Sequence, residues 1–159
     1  MKYILLFACL LFANKNFAQA KENIQLVNKF FDAINAYDTT LLKTFCDDSV
    51  HIKSPNWEGT QTGTHALAVV YYRYFTGTPD IKYSITNIIS CDTSVVVEFI
   101  FSGKFSNPEE GTPGYMRNKN YSIKGISRID ITANKIKNIV TYFDQVSFLR
   151  QVGFFDQKN

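Results

Sequence analysis

The sequence predicts one α+β domain in which helices come first and an antiparallel sheet follows. Three observations lead to this prediction. Apolar residues recur at three-to-four spacing over residues 22–36, alternating segments follow Pro79, and residues 119–143 have the pattern of two strands joined by a tight turn. A run of helices followed by a run of strands is typical of α+β domains.

Two N-terminal helices are expected, one over residues 22–36 and a shorter one ending near Phe45. The first should bury one face, because its apolar residues lie three or four positions apart with polar residues between them. Asp38 or Thr39 can cap the second helix. We therefore expect an antiparallel helix pair. The apolar residues of the first helix are Ile24, Val27, Phe30, Phe31 and Ile34.

The next segment is predicted to contain a short strand and a third helix. Residues 49–54 alternate between apolar and polar side chains, and Pro55 should end this strand, which we place at a sheet edge. A helix is expected from Thr64, a plausible cap, to Gly77, a plausible stop. The β-branched and aromatic residues between them would also suit a strand.

The main sheet is predicted to begin with two long strands, residues 81–89 and 94–105. Residues 95–101 are apolar at nearly every position, whereas a strand with one face in water should alternate. We therefore expect both faces of this strand to be covered. Glu98 interrupts it and could pair with Arg128 on a neighbouring strand, which would be a structural contact more than a ligand-binding one.

A hairpin and a short helix are predicted to close the domain. The hairpin strands are residues 121–131 and 136–143, and the turn between them contains Asn134, which tolerates a left-handed backbone. Asp144 then leads into a helix at residues 148–153.

Small sequence landmarks recur along the chain in a definite order. They are Asp47-Asp48, Pro55, Gly63, Pro79-Asp80, Ser102-Gly103, Gly125, Lys135-Ile136 and residues 142–145 and 149–153. In order and spacing they resemble the SnoaL-like branch of the nuclear transport factor 2-like superfamily. The resemblance implies a cystatin-like cone, with N-terminal helices packed in the concave face of a curved antiparallel sheet. It also favours a helix at residues 64–77 and a loop at 107–118 near a pocket mouth.

The N-terminus has the features of a secretory signal. Lys2 precedes an apolar run, and Ala18-Gln19-Ala20 supplies the small-x-small pattern of a cleavage site, so residues 1–20 are predicted to be removed. A lipoprotein signal ending at Cys9 is the weaker alternative. The mature domain would then span residues 21–159, exported to the periplasm or the cell exterior without a stable membrane anchor.

Composition argues against several kinds of partner. Removing Lys2 and Lys15 from the 17 basic residues leaves 15 against 14 acidic ones, and no basic stripe is present, so nucleic acid is not an expected partner. His51 and His65 have no ligand-type neighbours within a turn, and we predict no metal site and no cofactor.

The two cysteines of the predicted mature domain leave two interpretations open. Cys46 and Cys91 could form a disulfide, which the oxidising environment outside the cytoplasm would allow to persist. They could equally be small buried apolar residues.

Asp144 is the one candidate for a catalytic residue. If its side of the strand lined the cone, nearby aromatic rings would raise the pKa of its carboxyl, and it could act as a general base. SnoaL-like cyclases are thought to use an Asp in this way, but the polar set that often precedes it is replaced here by Ile139, Val140 and Thr141. The alternative interpretation is that Asp144 caps the final helix through Val146 or Ser147.

Aromatic side chains with polar tips are the candidate ligand-binding residues, because they combine apolar walls with orienting groups. The candidates are Trp57, Tyr71, Tyr74, Tyr121 and Tyr142.

Together these features predict an exported domain that binds a small apolar molecule in a pocket and has no established reaction. A cyclase or isomerase acting next to a carbonyl, with Asp144 as base and Tyr121 or Tyr142 as hydrogen-bond donor, is one alternative. A protein-interaction domain is the other. The superfamily resemblance and the doubly apolar strand at 95–101 further predict a homodimer through the outer sheet face, although ordinary exposed apolar residues would explain that strand as well.

Overall fold

The structure is a computed structural model that describes residues 2–56 and 59–156, with side chains from residue 18 onward. This part of the chain forms four α-helices, six strands and one short 3-10 helix. In chain order they are α1 (Lys2–Asn35), α2 (Thr39–Phe45), β1 (Cys46–Lys53), β2 (Gln61–Thr62), α3 (Thr64–Gly77), β3 (Lys82–Cys91), β4 (Ser94–Phe105), the 3-10 helix (Gly114–Met116), β5 (Lys119–Thr132), β6 (Lys135–Phe143) and α4 (Gln145–Gln151).

The strands form one curved sheet in the order β2-β1-β6-β5-β4-β3. Strands β3 to β6 are an antiparallel meander, as predicted, and the α+β class is confirmed. The prediction of a purely antiparallel sheet is wrong at one place, because β1 pairs with β6 in parallel. The prediction that β1 is the edge strand also needs correction, since the two-residue strand β2 lies outside it.

An ion pair supports the parallel contact between β1 and β6. Lys137 Nζ lies 2.6 Å from Asp47 Oδ2. The hydrogen bond from Lys137, together with those from Ser49, holds the pKa of the Asp47 carboxyl well below its usual range. Both partners are partly exposed, so we expect this ion pair to add little to the free energy of unfolding, although it can align the two strands.

The core lies between the inner face of the sheet and helices α1 and α3. Alternate residues along each strand point inward, which explains how β4 buries Val95, Val97, Phe99 and Phe101 while Glu98 stays exposed. The predicted apolar face of the first helix is buried from Val27 onward. The side chains with less than 2% exposure include Val27, Phe30, Ile34, Leu42, Leu67, Val97, Ile129 and Ile139.

The helix boundaries confirm most of the predicted signals. The Leu41 amide donates to Asp38 Oδ1 at 2.8 Å, so Asp38, and not Thr39, caps α2. Helix α3 forms where the composition also allowed a strand. It begins at Thr64, but Gly63 occupies the cap position without a side-chain hydrogen bond.

Helix α1 begins well before residue 22, where the sequence pattern placed its start. Removal of residues 1–20 stays a prediction. Within the described residues, no helix is both long enough and apolar enough to span a bilayer.

The turn between β5 and β6 requires two left-handed residues where the sequence indicated one. Ala133 and Asn134 have φ values of 49° and 58°. Positive φ at both central residues is the geometry of the type I′ turn, which matches the twist of the flanking strands. This turn fixes the register in which Thr132 lies opposite Lys135.

Two side-chain pairings that the sequence left open are absent from the described structure. Cys46 is buried and Cys91 exposed, both as free thiols, so the disulfide does not form. Burial raises the pKa of the Cys46 thiol to about 12, in keeping with the apolar interpretation. The ion pair between Glu98 and Arg128 does not form either. The register places Glu98 opposite Ile126. Arg128 pairs with Asp130 instead, with 3.2 Å between Arg128 Nε and Asp130 Oδ1.

Gly125 on β5 makes room for a core aromatic ring, and this gives a test of the packing. A Cβ atom at Gly125 would lie 2.7 Å from Cε2 and Cζ of Phe99, which is buried. We expect Gly125→Ala to lower the free energy of unfolding by about 1–3 kcal/mol, because Phe99 must move within a packed core. Urea denaturation measures this change.

Gly114→Ala is the matched control, since nothing lies within 4 Å of its added Cβ. Its free energy of unfolding should stay within about 0.5 kcal/mol of the parent. Equal stability of the two variants would contradict the packing described here.

Candidate functional site

The described residues enclose two adjoining cavities between the inner sheet face and helix α3. The inner chamber has a volume of about 50 Å³ and the outer chamber about 330 Å³. They share the lining residues Asn56, Tyr74, Phe101 and Phe143. A molecule in the outer chamber could therefore extend one end into the inner one.

The inner chamber is lined mainly by aromatic and aliphatic side chains. Phe31 of α1 and Tyr71 of α3 face Tyr83 and Phe99 on the sheet. Burial raises the pKa values of Tyr71 and Tyr83 above their ordinary range, so both hydroxyls stay protonated at neutral pH. The remaining lining residues are Ile52, Ser54, Asn56, Val70, Tyr74, Phe101, Ser127, Ile139, Thr141 and Phe143.

Polar groups on the wall of this chamber bond to one another. Ser127 Oγ and Thr141 Oγ1 are 2.7 Å apart, on the neighbouring strands β5 and β6. Nearer the outer chamber, Asn56 Nδ2 donates to Tyr74 Oη at 3.2 Å, and Ser54 Oγ lies 3.4 Å from the same oxygen. Within the described lining, this chamber has hydroxyl and amide groups but neither carboxylate nor imidazole.

The outer chamber combines aromatic walls with a charged rim. Tyr121 Oη donates to Thr78 Oγ1 at 3.0 Å inside it, and burial raises the pKa of Tyr121 to about 12. At the rim, Arg73 Nε donates to Glu109 Oε1 at 2.6 Å. Glu109 belongs to the connection between β4 and the 3-10 helix, so this ion pair joins the connection to α3.

The structure distributes the predicted ligand-binding residues unevenly. Tyr71 lines the inner chamber, Tyr74 lines both chambers and Tyr121 lines the outer one. Tyr142 is 58% exposed on the outer sheet face, because its neighbours Thr141 and Phe143 take the inward positions of β6. Trp57 lies outside the described residues. Ligand contact by any of these residues stays a prediction.

Asp144 has the geometry of a helix cap. The Ser147 amide donates to Asp144 Oδ1 at 2.9 Å at the start of α4, which confirms the capping interpretation. The side chain is exposed, and it is absent from the described linings of both chambers. The general-base interpretation assumed that the face of β6 carrying Tyr142 points into the interior. In the structure this face points outward.

Ser54 and Ser127 line the inner chamber but were not predicted to do so from the sequence. Thr141 was considered only as one of the residues that replace the polar set found in SnoaL-like cyclases. A signal for two of them was present. Ser127 shares its strand side with Ile129, and Thr141 shares its side with Ile139. A polar residue within an inward-facing apolar series indicates a hydroxyl directed to the interior.

His51 is exposed on β1, and its Nδ1 lies 3.1 Å from Thr62 Oγ1. Among residues 2–56 and 59–156, no group of three or more His, Cys, Asp or Glu side chains is arranged to hold a metal ion.

Comparison with known proteins identifies the family. The sequence model of the SnoaL-like polyketide cyclase family matches residues 25–152. No curated protein sequence matches the chain.

Several solved structures share the fold at low sequence identity. A candidate polyketide cyclase from Xanthomonas campestris pv. campestris is 20% identical, with a TM-score of 0.73 over 84% of this chain and 98% of that one. An NTF2-like protein from Burkholderia xenovorans LB400 is 21% identical, with a TM-score of 0.65 over 84% and 97% of the two chains. TsrD from Streptomyces laurentii is 20% identical, with a TM-score of 0.72 over 84% and 96%.

Two substitutions at Asp144 test the capping role. Asp144→Ala should lower the free energy of unfolding by about 1 kcal/mol, because the Ser147 amide loses its acceptor. Asp144→Asn should stay within a few tenths of a kcal/mol of the parent, since Asn is as good a cap as Asp. Urea denaturation measures both, with Glu110→Ala on an exposed loop as control. An Asn variant as unstable as the Ala variant would contradict the role.

Proposed function

We propose a function from one premise: the chain belongs to the SnoaL-like polyketide cyclase family. Its function, in this proposal, is to bind a small and largely apolar molecule in the two adjoining chambers. The observation that carries the proposal is the cluster of aromatic side chains that lines both chambers, with the charged groups confined to the outer chamber. The proposal includes export, which rests on the sequence of residues 1–20.

The size of the outer chamber suits such a ligand. Its volume of about 330 Å³ falls within the range of pockets that bind small molecules. Phe101, Phe105 and Phe148 supply apolar surface, while Thr78 and Tyr121 supply hydroxyl groups. Walls of this kind gain affinity from burial and orientation from the few polar contacts.

The titratable groups favour binding over acid–base chemistry. In the described lining, the inner chamber contains tyrosines that burial keeps protonated, and the outer chamber contains Glu109 in an ion pair with Arg73. A general base must come within hydrogen-bond reach of the proton it removes. We therefore place binding ahead of a cyclase or isomerase reaction based on Asp144.

A neutral fluorescent probe tests the binding proposal. N-phenyl-1-naphthylamine should bind the purified full chain with enhanced fluorescence at micromolar concentration. Thr112→Trp should weaken the affinity about tenfold or more, because the larger side chain fills the outer chamber that Thr112 lines.

Glu110→Trp is the control, since it adds the same side chain at an exposed position of the same connection that does not line the chamber. It should leave the affinity unchanged. Absence of probe binding to the parent, or equal affinity in both variants, would contradict binding in the chambers.

We further propose a homodimer through the outer sheet face. Ile89, Ile126 and Tyr142 are 55%, 40% and 58% exposed on this face, and Ile100 of β4 is partly exposed on it as well. The register sets Ile126 directly between Glu98 and Tyr142. Ile100, Ile126 and Tyr142 line one shallow groove together with Glu98 and Lys124, a mixture of apolar and charged groups that suits association with a second copy.

Sedimentation at micromolar concentration tests this association. The parent should sediment at twice the monomer mass, and Tyr142→Lys should shift it to monomer, because a charge would be buried at the interface. Tyr72→Lys is the control, because Tyr72 is at least as exposed as Tyr142 but lies on α3. This variant should stay dimeric. A monomeric parent would refute the dimer.

A further inference from the structure

We propose that the Ser127–Thr141 hydroxyl pair selects ligands that carry a neutral oxygen acceptor, such as a carbonyl or ether, at an otherwise apolar end. The inference rests on the proposed binding function and adds the chemistry of the ligand's inner end. It assigns a specificity-determining role to two residues that the fold alone does not require to be polar.

The position of the pair is fixed by strand register. Ser127 and Thr141 lie directly opposite each other on β5 and β6, and both line the inner chamber. The next inward-facing cross-strand pairs are apolar. Ile129 lies opposite Ile139 on one side, and Gly125 lies opposite Phe143 on the other. Ser127 is only 3% exposed. Two hydroxyls are therefore held against the inner chamber by a rigid sheet.

One of the two hydroxyl protons of Ser127 and Thr141 is not used in the hydrogen bond between them. Each hydroxyl has one proton to donate and two lone pairs. The contact of 2.7 Å between Ser127 Oγ and Thr141 Oγ1 uses one proton, whichever oxygen donates. Neither oxygen has a second hydrogen-bond partner among the described residues. One O–H group therefore remains unpaired beside the chamber.

An acceptor satisfies this pair better than a donor does. A ligand N–H that only donates would occupy a lone pair but leave the spare proton without a partner. Buried donors without partners are rarer in proteins than under-satisfied acceptors, because the lost hydrogen bond is not replaced. A ligand oxygen that accepts the spare proton completes the pair.

The acceptor should be neutral. The described lining of the inner chamber includes no Lys, Arg or His side chain. A carboxylate placed there would lose its hydration without gaining a counter-charge, which is costly. Arg73 lies on the outer chamber, at the rim, and is bonded to Glu109.

Three probes with a common ring framework test the selection: 1-tetralone, tetralin and 1,2,3,4-tetrahydro-1-naphthoate. Ligand-observed NMR titration of the full chain gives their dissociation constants. We expect the ratio of the tetralone constant to the tetralin constant to rise about five- to tenfold in the double variant Ser127→Ala with Thr141→Val. The tetralin affinity should stay the same or improve, since the variant chamber is more apolar.

Thr141→Ser is the matched control, because it keeps both hydroxyls, and its ratio should stay within about twofold of the parent. If the double variant does not fold, Ser127→Cys with Thr141→Val replaces the hydroxyls by one weak donor at a smaller change in volume. The naphthoate should bind more weakly than the ketone.

The outcomes separate this inference from the proposed function. An unchanged ratio in the double variant, or naphthoate binding as tight as ketone binding, would overturn the role of the hydroxyl pair while leaving binding intact. Failure of both tetralin and tetralone to bind the parent would overturn the proposed function and the inference with it.

Discussion

The register between β5 and β6 determines which side chains reach the interior of this domain. Successive strand residues point to opposite faces, so a slip of β6 by one residue against β5 would turn Thr141 outward and Tyr142 inward. The left-handed pair Ala133 and Asn134 fixes the register at the turn, and an irregularity between Asp130 and Ile131 then shifts the pairing by one residue, so that Ser127 lies opposite Thr141. The inward positions of Ser127 and Thr141 therefore depend on the turn and on this irregularity together.

The chambers exist because the helices cover the inner sheet face incompletely. Burial of Phe30 and Ile34 stabilises the contact of α1 with the sheet, while α3 contributes Tyr71 and Tyr74 to the cavity walls. Aromatic rings in edge-to-face contact, such as Phe30 with Tyr71, are held in fixed orientations. Space is therefore enclosed by side chains that have little freedom to collapse into it.

The fold was largely predictable from sequence because its signals are local. Apolar spacing located the helices, Asp38 and Asp144 marked helix starts, and Asn134 marked the hairpin turn. The parallel contact of β1 with β6 was not predictable in this way, since it joins segments about ninety residues apart and no local pattern encodes it. Arg128 pairs with Asp130, two residues along on the same strand, a local contact that the cross-strand pairing with Glu98 overlooked.

The candidate site was less predictable than the fold because β6 is apolar on both faces. Alternation divides the residues of β6 into two sets, one containing Val140 and Tyr142 and the other Ile139 and Phe143. Because both sets contain apolar side chains, hydrophobicity alone does not indicate which set faces the interior. The choice depends on the neighbouring strand, where Ser127 shares the inner side with the buried Ile129.

The central claim is that ligands bind inside the cone and not on its outer sheet face. A titration of methyl-labelled protein with N-phenyl-1-naphthylamine, followed by NMR, tests it most directly. We predict chemical-shift changes at the methyl groups of Val70, Ile81 and Ile139, which line the chambers. Changes confined to Ile89, Ile100 and Ile126 on the outer face would contradict it.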